Sequence, residues 1–148
     1  MNTLKLELYG VSGWIEPAVR IVIDGVDLVE RAHAAELFFA TAEGHPETAG
    51  WYAGLPRSEV APPAERLFGR DPFYDLDKVA LLVCAGCGEE GCWPLLARIE
   101  VAEDQVAWRD FEQPQRPGWN LSALGPFVFE RKQYQDAIAA LGNIGSNR

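Results

Sequence analysis

Hydrophobic and polar positions alternate at the start of the chain. Leu4, Leu6 and Leu8 are separated by Lys5 and Glu7, the period-two pattern of a half-buried strand. Val19, Ile21 and Ile23 repeat the pattern around Arg20. Asp24-Gly25 follows and suits the two positive-φ positions of a type I′ turn, so residues 26–28 are expected to begin a return strand. Between residues 30 and 43 the period changes. Val29, His33, Leu37 and Ala40 fall near one helical face, which predicts a helix. Residues 44–63 are rich in Gly, Pro, Ser and Thr and read as an irregular connection. Pro63 at its start and Gly69 at its end mark a short helix over 63–68.

The second half predicts a meander. Residues 78–84 form one apolar run of strand length, as in a central strand covered on both faces. Residues 94–101 place Leu95, Ala97, Ile99 and Val101 on one face and Leu96, Arg98 and Glu100 on the other. Residues 105–111 set Val106 and Trp108 opposite Ala107 and Arg109. Short connections make these three strands antiparallel neighbours. Tyr134, Ala137, Ile138 and Leu141 lie at i, i+3, i+4 and i+7 and predict a C-terminal helix stopped at Gly142, with a frayed tail over 143–148. The expected fold class is α+β: mainly antiparallel sheet, built from a hairpin and a three-strand meander. A C-terminal helix and one or two further helical segments complete it, all within one domain spanning 1–148.

Charge narrows the partners. The chain of 148 residues carries 13 Lys and Arg against 22 Asp and Glu, a net charge of −9. That balance excludes recognition of a phosphate backbone, which needs clustered cations, and of anionic membrane surfaces. A basic protein partner remains compatible. The N-terminus has no basic start or apolar centre of a secretion signal, and no apolar run has the length of a membrane span. A cytoplasmic location is the expectation, where thiols stay reduced.

All three cysteines lie in one stretch. Cys84-x-x-Cys87 is followed, after four residues, by Cys92, with Gly86, Gly88 and Gly91 between them. Three readings compete. Zinc could be held by three thiolates at tetrahedral spacing, with His33, His45, Glu89 or Glu90 as a fourth donor; a second Cys-x-x-Cys pair, which would make this signal specific, is absent. Redox chemistry wants such a pair at a helix N-terminus. Here the pair leaves a strand, and the adjacent carboxylates push a thiol toward its protonated form. In the structural reading, which leads, Cys84 and Cys92 are small buried hydrophobes at a sheet end and Trp93 covers them.

Trp108 and Arg109, with Arg116 in the Pro-rich segment beyond, could form a surface platform, since Trp and Arg are favoured at interfaces. Ordinary strand alternation, with Trp108 inward and Arg109 outward, accounts for the same residues. No phosphate loop, His-Glu-x-x-His or nucleophile elbow occurs. Residues 87–95, Cys-Gly-Glu-Glu-Gly-Cys-Trp-Pro-Leu, resemble a turn motif of a group of small bacterial proteins. In that group a Val-x-Trp-x-x-Phe segment follows, matched by Val106, Trp108 and Phe111. A Pro-rich loop and a Tyr-bearing helix come next, matched by Pro114, Arg116 and Tyr134. The group has no established activity, so the resemblance implies a shared fold over the C-terminal half and no catalytic residue. The expected function is a non-catalytic protein-interaction or accessory domain with an acidic surface. The alternative is a small zinc- or thiol-dependent protein centred on Cys84, Cys87 and Cys92.

Overall fold

The computed structural model describes residues 1–74, 76–89 and 91–146. Strands β1 (Leu4–Tyr9) and β2 (Ala18–Ile23) pair antiparallel with Leu4 opposite Ile23 and Leu6 opposite Ile21. Directly opposed residues share a face, and these four are buried. Asp24 and Gly25 have φ of 52° and 81°, as a type I′ turn requires. The return strand β3 is only Val26–Asp27. The chain leaves the sheet there because the Asp27 carboxylate accepts the Val29 N–H at 2.8 Å and caps helix α1 (Leu28–Ala42).

Helix α1 buries Leu28, Ala32, Glu36 and Ala40. The face predicted through His33 and Leu37 is displaced, and both residues are exposed. A stripe of Leu and Ala at four-residue spacing lets the helix axis approach β2 closely, which a bulkier row would prevent. It also carries a glutamate into the interior.

The stretch expected to be irregular contains β4 (Tyr52–Pro56). Its first four residues are all buried, so it shows no alternation to betray it. It joins the hairpin to the meander, because β2 and β5 (Val79–Cys84) pair with its two sides. At Gly54 the chains come so close that a Cβ would lie 2.0 Å from the Val19 carbonyl oxygen. All six residues of β5 are buried, as the apolar run predicted. The meander continues through β6 (Leu95–Val101) and β7 (Gln105–Glu112) and is extended by β8 (Phe127–Glu130). On one face of the meander Phe73, Ala80 and Leu96 form a small separate cluster.

The strand order β1-β2-β4-β5-β6-β7-β8 is antiparallel at every step. A path of seven alternating strands leaves the first and last pointing the same way. Asn2 accordingly bridges Phe129 in the parallel sense, and its N–H donates to the Val128 carbonyl at 2.7 Å. The two sheet edges meet, which removes the unpaired edge at this point. Helix α2 (Arg131–Ser146) packs on β1, β7 and β8. Tyr134, Ile138 and Leu141 are buried as predicted, but the helix runs through Gly142 to Ser146. Residues 143–146 of the expected tail are therefore helical, and 147–148 lie outside the described residues. The predicted helix at 63–68 is a 3₁₀ turn over Glu65–Phe68. The fold is α+β and mainly antiparallel. Among the described residues no helix is long and apolar enough to cross a membrane.

Candidate metal centre

Cys84 is the last residue of β5, where it is the register partner of Tyr52 on β4. The chain then turns back, and the Gly88 N–H donates to the Cys84 carbonyl at 2.9 Å. Gly88 has φ +72°, and a Cβ there would lie 2.7 Å from the Trp14 ring. Glycine is required on both counts. Cys87 rides on this turn and Cys92 on the returning limb. The three sulfurs lie within 4.8 Å of one another, with Cys87 and Cys92 at 2.8 Å. Three closely placed cysteines can bind a metal ion.

Two expectations change. Cys92 does not open a strand, since β6 begins only at Leu95. It is also exposed, like Cys87, while Cys84 alone is buried. A role as buried filler fits Cys84 and does not fit Cys92. The roof over the loop is broader than Trp93. Trp51, 46% exposed, sits beside Gly86 and is tilted against Trp93 with centroids 6.4 Å apart. Trp93 meets Trp119 edge-on at 5.9 Å.

The thiols differ in acidity. The Cys92 thiol beside Cys87, and next the Glu89 backbone N–H, hold Cys87 below the usual thiol value. Sharing that hydrogen bond pushes Cys92 up to about 11. The charge of Glu89 opposes ionisation of Cys87, as expected from the sequence, but it is the smallest influence there. The cluster thus accepts one negative charge on Cys87 and resists a second on Cys92. A bound cation reverses that resistance, because coordination favours the thiolate.

A buried polar clamp grips both limbs of the loop. Glu36 is 0% exposed. Its carboxylate accepts the Gly50 N–H at 2.8 Å and the Tyr52 hydroxyl at 2.5 Å. Gln113 Nε2 donates to Tyr52 Oη and to the Pro94 carbonyl, both at 3.0 Å. Tyr52 thereby fixes the strand beside Cys84, and Gln113 fixes the chain two residues after Cys92. Burial outweighs the two hydrogen bonds and raises the Glu36 pKa. None of these three residues stands out in the sequence. The available signal is Glu36 at four-residue spacing from Ala32 and Ala40, inside the apolar stripe.

The predicted platform does not assemble. Trp108 is 0% exposed, donating to the Tyr134 hydroxyl at 3.0 Å, because the inward face of β7 is core. Arg109 pairs with Glu100 across the sheet at 2.7 Å. Arg116 sits elsewhere, over the Trp93 ring at 5.1 Å, and pairs with Glu43 at 3.1 Å. Glu43 also accepts the Trp119 indole N–H at 2.8 Å, which with Arg116 lowers its pKa. Of the proposed fourth donors, His45 faces Glu47 at 3.3 Å and Glu90 lies outside the described residues. Among the described residues neither histidine, nor Glu89, joins the thiol group. No family model, curated protein or solved structure matches this chain.

Proposed function

We propose that this chain is a metal-binding protein whose centre is Cys84, Cys87 and Cys92, with zinc as the ion. One observation carries the reading: sulfurs from a strand end and from both limbs of a loop converge within 4.8 Å. With Zn–S bonds of about 2.3 Å, tetrahedral geometry sets neighbouring sulfurs roughly 3.8 Å apart. Binding then requires Cys87 and Cys92 to separate by about 1 Å, a movement the glycines of the loop accommodate. Three protein thiolates leave one position for water or a small ligand, an open site rather than a closed structural one. The Glu36–Tyr52–Gln113 clamp supports this by holding the two ends of the loop at fixed separation.

The test is elemental analysis of protein purified without chelator, joined to cobalt(II) substitution. One zinc per chain and a thiolate-to-cobalt charge-transfer band are expected. Metal content no higher in wild type than in a Cys87→Ser/Cys92→Ser variant would exclude the reading. The acidic interaction domain stays open as a second proposal, resting on the net charge of −9. A basic partner captured at low salt and released as screening rises would support it.

A further inference from the structure

Cys87 and Cys92 are poised for more than metal binding. Their sulfurs are 2.8 Å apart, between the ~2.05 Å of a disulfide and the ~3.8 Å edge of a zinc site. Both are exposed, on a loop whose glycines permit small adjustments. Cys84 is buried and fixed in register on β5. An oxidant can reach the first two and not the third.

We propose that Cys87 and Cys92 form a reversible disulfide while Cys84 stays reduced, making the loop a thiol switch. The oxidant is a low-molecular-weight disulfide of the glutathione class. One loop sulfur attacks it, forming a mixed disulfide and releasing one thiol. The neighbouring sulfur then attacks the protein sulfur of that mixed bond, closing the loop disulfide and releasing the second thiol. Two loop thiols lose two protons and two electrons, and one external disulfide becomes two thiols. The pair is well placed for the second step, which needs the resolving sulfur in contact with the mixed disulfide. Closure of the loop does not depend on the metal reading. Its consequence does rest on that reading: two of three ligands are consumed, and the ion is expelled.

The test uses the metal-free, reduced 148-residue chain equilibrated with oxidised glutathione. Free thiols are expected to fall from three to one per chain, with a mass loss of two hydrogens and full recovery with dithiothreitol. Cleavage after Glu89 and Glu90, which lie between the two thiols, should leave two peptides joined by the new bond. Cys84 shares the first of them with Cys87, and fragment ions of that peptide should place the alkyl group on Cys84 and the bond on Cys87. Cys84→Ser should keep this bond. A bond that includes Cys84, intermolecular dimers alone, or stable glutathione adducts without loop closure would overturn the proposal. A parallel cobalt-loaded sample separates the two ideas. Loop closure without any cobalt band in the reduced protein removes only the metal reading. A cobalt band unmoved by oxidised glutathione, with no loop closure in the metal-free sample, removes only the switch.

Discussion

Replacing Tyr52 by Phe removes one oxygen from the clamp that grips the thiol loop. The lost hydroxyl donates to the Glu36 carboxylate at 2.5 Å and accepts from Gln113 at 3.0 Å. Gln113 keeps its bond to the Pro94 carbonyl, so the principal loss is at Glu36, which is fully buried. A hydrogen bond to a charged group contributes about 1.5–3 kcal/mol, and stranding its buried partner adds to the cost. We expect Tyr52→Phe to destabilise the fold by roughly 2–3 kcal/mol at neutral pH. With an m-value of about 1.5 kcal/mol/M, the urea midpoint should fall by 1–2 M. The pH dependence follows from Glu36, whose folded pKa is raised above the ordinary 4.5. Between those two values the folded state holds the extra proton, so stability falls as pH rises through that window. Without the Tyr52 hydroxyl the folded value rises further and the window widens. The gap between variant and wild type should therefore be small in acid and grow toward neutrality. Urea titrations across that range measure it. A neutral-pH loss below about 0.5 kcal/mol, the scale of an ordinary surface change, or a gap that widens in acid, would show that the clamp does not work as argued.

Other outcomes follow from single positions. Gly54→Ala drives a Cβ to 2.0 Å from the Val19 carbonyl oxygen; a backbone cannot yield cheaply there, and a loss above about 4 kcal/mol or failure to fold is expected in thermal melts. In metal-free protein, alkylation followed against pH should label Cys87 well before Cys92, whose value is about 11; equal rates would contradict the shared hydrogen bond. Asp27→Ala removes the α1 cap and the partner of Arg20, which should lower stability by about 1 kcal/mol in chemical denaturation.

The parts whose pattern is local were legible along the chain. The alternation of Leu4, Leu6 and Leu8, the Asp24-Gly25 turn, the apolar run ending at Cys84 and the Tyr134-Ile138-Leu141 stripe each report which side of one element meets the core. The clustering of Cys84, Cys87 and Cys92 is equally local, because a short glycine-bearing loop confines the thiols to one neighbourhood. Other features needed the assembled sheet. β4 is paired along both edges by β2 and β5 and buried on both faces, and so carries no period. Trp108 and Arg116 part company because β7 turns one into the core, while the following loop lays the other over Trp93. Glu36, Tyr52 and Gln113 come from a helix and two chain segments far apart in sequence, and only burial beside one another makes them a unit. A hydrogen bond between distant residues leaves no periodic trace along the chain; the packing that forces them together is what decides it.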